Sequence, residues 1–220
     1  MKTITVKGVG TARVKPDTVE LKFTLEKEHR DYEKAMELSE RSLKNLIEAL
    51  VEAGFSRDDL KTTSFSADIE QDNIRDENGY HLRYVFRAYS VTQRLVLRFP
   101  FEKEMLSRAL TAVAKSKSAP EFSINFTVSN PAQVQDEILA SASENACRKA
   151  RVLAQSSGAA LGELLRIDYN WGEIEVYSRT DVKLSNLAYG DCDANDCFAP
   201  EITPDDIESE DTATFTWSLA

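Results

Sequence analysis

Apolar residues change their spacing several times along the chain, and each change predicts a new element. Residues 2–14 alternate weakly through Ile4 and Val6. Pro16-Asp17 marks a turn, and Val19, Leu21, Phe23 and Leu25 then alternate cleanly. The pattern predicts two consecutive strands joined as a hairpin. Asp31 is placed to cap a helix carrying Tyr32, Ala35, Met36, Leu43, Leu46, Ile47, Leu50 and Val51 on one side. Gly54 stands where a left-handed residue closes that helix.

Beyond Gly54 the period returns to two, with Phe65, Ala67 and Ile69 pointing one way. The Asp76–Gly79 stretch predicts a hairpin turn with Asn78-Gly79 at its tip. Tyr80, Leu82, Tyr84, Phe86 and Ala88 are even-numbered, whereas Val91, Leu95, Leu97 and Phe99 are odd-numbered. That switch of parity requires a bulge or break near Ser90, through which one long strand serves two parts of the sheet. Phe101, Met105, Ala109 and Val113 predict a helix over about 101–117, which Pro120 precludes from extending. Phe122, Ile124, Phe126 and Val128 form a strand, and Pro131 opens a third helix closed by Gly158. Leu165, Ile167, Tyr169 and Trp171 predict another strand. Ile174 and Val176 are placed to continue it within a mostly irregular stretch, and Ala213, Phe215, Trp217 and Leu219 predict the last. The order ββαββαβαββ predicts an α+β fold, with three helices packed on largely antiparallel sheet.

Within the third helix, Val134, Ile138, Ala142, Ala146, Ala150 and Ala154 recur every fourth residue. Ridges of that spacing pack into neighbouring grooves, and small side chains let another backbone come close. The ridge fits either a helix lying tightly on its own sheet or a contact between subunits.

Charge narrows the partners. Gly172–Asp211 holds 12 acidic residues against Arg179 and Lys183, a local net of −10 that equals the net charge of the whole chain. An acidic surface repels phosphate backbones, so nucleic acid is not expected as a partner. The basic cluster Arg148-Lys149-Arg151 reads as a solvated helix face. No apolar run reaches the ~18 residues of a transmembrane segment. The start of the sequence shows no signal-peptide pattern, giving the expectation of a cytoplasmic protein.

Candidate chemistry is sparse. Gly8-Val9-Gly10 begins like a dinucleotide-binding loop, but Arg13 occupies the third glycine position, and Lys15-Pro16 and a strand follow instead of a helix. Gly8 and Gly10 are therefore read as sheet glycines, at a bulge or a close backbone approach. His29 and His81 read as surface residues. Asp191, Asp193 and Asn195 match the start of an EF-hand loop, yet Asp196 replaces its glycine and Ile202 its closing glutamate. Asp191, Cys192, Asp193, Asp196 and Cys197 remain candidate ligands for a metal ion, and Cys192 and Cys197 for a disulfide. The other reading is a solvated acidic loop with two incidental thiols. Cys147 reads as a small buried apolar residue. No motif calls for a cofactor, and none names a small-molecule ligand.

Five blocks in sequence order carry a resemblance: ITVKGVGTARVKPDTVEL, GFSRDDLKTTSFSADIE, GYHLRYVFRAYSVTQRLVLRF, ACRKARVLAQSSGAALGELLRI and ITPDDIESEDTATFTWSL. Together they resemble the SIMPL-domain family, whose members include the YggE-type oxidative-stress proteins. Pro204-Asp205 departs from the family's usual proline-glycine, and many relatives carry a signal peptide and work in the cell envelope. The resemblance implies a single SIMPL domain over 1–220 with two intimately associated lobes. These are drawn as 1–75 plus 203–220 and 76–171, with 172–202 an acidic, mostly irregular segment. It implies no established reaction and transfers no active-site residue, and some relatives assemble into ring- or channel-like homo-oligomers. The expectation is a non-enzymatic homo-oligomer linked to oxidative stress, assembled through sheet edges and the alanine ridge. The alternative is a metal- or redox-responsive module centred on loop 190–197.

Overall fold

Spacing by two and by four becomes strand and helix in the computed structural model, which describes residues 2–75, 79, 81–169, 176–180, 182–184 and 202–220. The elements are β1 (Lys2–Val14), β2 (Thr18–His29), α1 (Tyr32–Glu52), β3 (Leu60–Arg75), β4 (His81–Pro100), α2 (Lys103–Lys115), β5 (Glu121–Thr127), α3 (Pro131–Ser156), β6 (Leu161–Tyr169), β7 (Val182–Leu184) and β8 (Ile207–Leu219). The fold is α+β as expected. The short β7 lies in the acidic segment and adds one strand to the expected order. The turn expected at Asn78-Gly79 lies outside the described residues except for Gly79, whose φ is +85°.

The chain divides into two compact units. One holds Met1–Asp17, Phe126–Thr180 and Pro204–Ala220; the other holds Thr18–Asn125 and Asp181–Thr203. These limits differ from the expected lobes 1–75 plus 203–220 and 76–171, because a boundary at 75 would part β3 from β4, which pair from Leu60 to Arg75.

In the first unit the sheet order is β1-β8-β6. β1 runs antiparallel to β8 in unbroken register, from Lys2 opposite Leu219 to Val14 opposite Ile207. The expected hairpin between the first two strands is therefore corrected: β1 pairs with β8, and β2 pairs with β4. Asp17 ends the excursion. Its amide donates to the Thr127 carbonyl at 3.1 Å, and its carboxylate accepts from the Ser129 amide at 2.6 Å and hydroxyl at 2.7 Å. Those bonds fasten the turn within the first unit, while each strand finds its ladder elsewhere.

The weak alternation of β1 is completed by its glycines. Val6, Gly8 and Gly10 all lie on the buried face, and α3 crosses them. A β-carbon on Gly8 would overlap the Ala142 carbonyl oxygen and come within 2.9 Å of the Ala146 methyl. One on Gly10 would overlap the Ile138 carbonyl oxygen and approach the Ala142 nitrogen to 2.7 Å. Absence of a side chain on the strand is thus matched by small side chains on the helix. A polar row, one residue earlier in each turn, covers the free edge of β1. The Val9 amide donates to Asn145 Oδ1 at 3.2 Å, the Thr11 amide to Ser141 Oγ at 3.4 Å, and Lys149 Nζ to the Lys7 carbonyl at 3.2 Å. Around this contact, Val6, Ala146 and Ala150 pack with Ala213, Phe215 and Trp217, while Ile138 and Val134 pack with Val128, Val176 and Ile207.

In the second unit the order is β3-β4-β2-β5-β7. Asp31 caps α1 by accepting from the Lys34 amide at 3.3 Å, and Gly54 closes it at φ +92°. The buried stripe of α1 is Ala35, Ser39, Ser42, Leu46 and Leu50, so it admits two serines, whereas Tyr32 and Val51 face outward. Helix α1 packs on β2, β4 and α2, over a core of Val19, Leu21, Phe23, Leu25, Val91, Leu95 and Leu97. Of the segment expected to be irregular, Tyr177 bridges to Thr127 within the first unit, and β7 pairs antiparallel with β5 in the second.

The strand–helix approach sets a stability test. Gly10→Ala forces backbone apart and is expected to lower the unfolding free energy by about 3 kcal/mol, at the upper end of overpacking costs. Ala146→Leu should act in the same direction through the same contact. Urea midpoints for both variants that match the unsubstituted protein would refute the tight contact.

Candidate functional site

Strand β4 is longer than its neighbour. Pairing with β2 runs from Thr18 opposite Pro100 to His29 opposite Tyr89, and β4 continues to His81 beyond that point. Over the overhang its partner among the described residues is β3, and the two form an arm of Glu70–Arg75 and His81–Ala88. Directly opposite residues share a face: Phe65 with Gln93, Ala67 with Val91 and Ile69 with Tyr89. The register then shifts, with Glu70 opposite Ala88 and Gln71 opposite Phe86, so that Arg87 is the extra residue of a bulge. This is the parity switch expected near Ser90, placed three residues earlier. It turns the even-numbered Tyr84 and Phe86 onto the face that Val91, Leu95 and Leu97 occupy further on.

Where α1 lies on that face, the apolar residues are buried. Beyond α1 they are not. Phe65 is 51% exposed, Ile69 56%, Leu82 61% and Tyr84 62%, with Phe86 and Tyr32 also exposed. Phe65, Ala67 and Ile69 point one way as expected, and Phe65 and Ile69 are left exposed on that face. The rings form a run: Tyr32, the first residue of α1, meets Tyr89 edge-on at 5.6 Å between centroids, and Tyr89 meets Phe86 at 5.2 Å. The other face of the arm is mixed: Glu70, Asp72 and Arg83 share it with the exposed Ile74 and Val85. From the bulge, the Arg87 guanidinium reaches Glu28 at 2.7 Å, Glu70 at 3.6 Å and Asp72 at 4.0 Å. Taking roughly 200 Å² for a large apolar side chain, six residues about half exposed present about 600 Å², as large as the largest patches of ordinary monomers.

The residues expected to carry chemistry are not brought together among the described residues. All six ridge residues, Val134, Ile138, Ala142, Ala146, Ala150 and Ala154, are buried in the first unit, several of them directly against β1. Asp191, Cys192, Asp193, Asp196 and Cys197 lie outside the described residues, as does the loop that holds them. Cys147 is half-buried beside the Val6–Trp217 cluster. His29 Nδ1 accepts from the Asp31 amide at 2.9 Å, and His81 bonds Asn73 across the arm. Among the described residues no group of three or more His, Cys, Asp or Glu side chains is placed to hold a metal ion. No described helix is long and apolar enough to cross a membrane.

A fully buried carboxylate went unnoticed in the sequence. Glu20, on β2 between the core residues Val19 and Leu21, is 0% exposed. Arg98 donates to its Oε2 through Nε at 2.7 Å and Nη2 at 2.6 Å, and Lys22 Nζ stands 3.1 Å from Oε1. Burial alone pushes the carboxyl up, but the bonds from Arg98 and Lys22 outweigh it and hold Glu20 below the ordinary carboxylate range. A general acid requires the opposite shift. Glu20 is a paired structural charge.

The model of the SIMPL family, described as a protein of unknown function (DUF541), matches residues 4–217. The chain belongs to the SIMPL family. Two solved structures from Listeria innocua are similar in extent. One is an uncharacterized conserved protein at 10% identity, covering 96% of this chain and 92% of that chain with a TM-score of 0.19. The other is described as a hydrolase, at 11% identity with the same coverage, 96% and 92%, and a TM-score of 0.18. Superposition that poor carries no argument about this SIMPL protein. No curated protein matches the chain.

The Glu20 pair gives this SIMPL domain a pH signature. Its native pKa lies below the unfolded value, so its stabilisation is complete above the unfolded pKa and is lost as pH falls through the native one. Glu20→Gln should cost about 2 kcal/mol at neutral pH, the scale of a charged hydrogen bond. That deficit should shrink on acidification below the carboxylate range, in urea titrations of both proteins. A deficit independent of pH would show that charge on Glu20 plays no part.

Proposed function

We propose that this SIMPL protein is a non-enzymatic, self-associating protein linked to oxidative-stress tolerance or signalling, acting as a scaffold or sequestering assembly. One observation carries the reading: the apolar face of β3 and β4 continues past the end of α1 and is left to water. Exposed rings and aliphatic side chains in a contiguous patch favour contact with another surface. If two copies cover each other's patch, about 1,200 Å² is removed from water in total, at the lower end of specific protein interfaces. The alanine ridge is engaged within the chain, so association is assigned to the sheet of the second unit. The link to oxidative stress is supported by the likeness to YggE-type proteins.

Sedimentation equilibrium is the direct test. The expected result is a mass above that of one chain, shifted toward the monomer in a Leu82→Lys/Tyr84→Lys double variant with unchanged far-ultraviolet circular dichroism. Both side chains are exposed, so the substitutions spare the core. Association should weaken by at least about tenfold, the equivalent of 1.4 kcal/mol. A single-chain mass for the unsubstituted protein at high concentration overturns the proposal.

A further inference from the structure

Strand β3 is the end strand of its sheet, and no described strand pairs with its outer edge. Natural edges are blunted by shortness, proline, lysine or bulges. β3 has sixteen residues and no proline or glycine, and its single lysine, Lys61, precedes the register shift between Thr62 and Ser64. From Ser64 onward the edge is open to another strand. Resting on the self-association reading, we propose that the occupant is β3 of a second copy, paired antiparallel about a two-fold axis at Ala67.

The register follows from two requirements. Opposite residues must share a face, so the axis passes through a residue and not between two. Like charges directly opposite each other are destabilising. Asp68, Glu70 and Asp72 occupy alternate positions on the other face. An axis at Asp68 sets Asp68 against its own copy, and an axis at Ile69 sets Asp68 against Glu70 of the other chain. An axis at Ala67 sets Ser66 against Asp68 and Ser64 against Glu70, each carboxylate facing a hydroxyl. On the apolar face it sets Phe65 against Ile69 twice, once on each side of the axis. An axis at Ser66 also separates the charges but leaves Phe65 opposite Ala67 and moves Ile69 to the bulge beside Thr63. Of these four axes, only the one at Ala67 satisfies charge and apolar pairing together.

The edge pair joins two five-stranded sheets into one and brings both exposed faces onto the same side. The face contact then packs these edge-paired units against each other; Phe65 and Ile69 belong to both surfaces, so rescue in a paired exchange, and not loss in a single variant, marks the edge.

A charge-swap cycle tests the register in the otherwise unsubstituted protein. Phe65→Lys and Ile69→Glu are each expected to weaken association by about tenfold, through two symmetric cross-strand positions. The double variant sets the introduced lysine of each chain opposite the introduced glutamate of the other, on both sides of the axis. It should recover at least about tenfold over the weaker single variant. Both positions are exposed, and circular dichroism checks the fold of each variant. If the protein associates but the double variant is weaker than either single one, the β3 register is wrong and self-association stands. If the unsubstituted protein is monomeric, both proposals fall together.

Discussion

The first unit depends on one close approach, between the backbone of β1 at Gly8 and Gly10 and the backbone of α3 at Ile138 and Ala142. No L side chain fits on the strand there, and the helix offers only methyl groups around it. Two consequences follow from this geometry. The aromatic residues of β8, Phe215 and Trp217, stack beside Val6 and Ala146 instead of over the glycines. The edge of β1 comes within hydrogen-bonding reach of Ser141, Asn145 and Lys149, so an exposed ladder is closed by side chains of a helix. Glycine therefore serves here to bring two elements together, and the resemblance of Gly8-Val9-Gly10 to a phosphate loop is superficial.

Much of this was legible in the residues, for a physical reason. Helix limits depend on local chemistry, and Asp31, Gly54, Pro131 and Gly158 stand at or next to the ends they predict. The four-residue ridge and the glycine pair pointed to close approach without naming each other as partners. Partner choice is not local, which is why the expected β1–β2 hairpin failed: β1 finds its ladder at the far end of the chain. Alternation reports that one face of a strand is apolar, but not whether anything covers it. Phe65, Ile69 and Tyr84 look like core residues by spacing, but Phe65 and Ile69 stand on the edge strand β3, outside the strands on which α1 packs, and Tyr84 lies where β4 outruns β2. Glu20 was hidden for a related reason. Its polar position between Val19 and Leu21 fits an ordinary solvated face, and its pairing to Arg98 is visible only when β2 and β4 are side by side.

The second unit divides its sheet between two uses. Near α1 the apolar face forms a core; past Tyr32 the same face is an open surface ending in a two-stranded arm. A single inserted residue, Arg87, keeps the face continuous across the change in numbering parity, while its own guanidinium ties Glu28, Glu70 and Asp72 on the other side. The bulge thus supplies both apolar continuity and polar relief.

Pairing of the first strand with the last also bears on how the molecule is made. β8 lies far along the sequence from β1, and a ribosome releases it on the order of ten seconds later at common elongation speeds. Meanwhile Thr18–Asn125, an uninterrupted stretch, emerges with nearly all of its own sheet. Maturation is thereby ordered by synthesis, with the glycine-bearing strand held in waiting until Ile207–Leu219 arrives to complete its ladder.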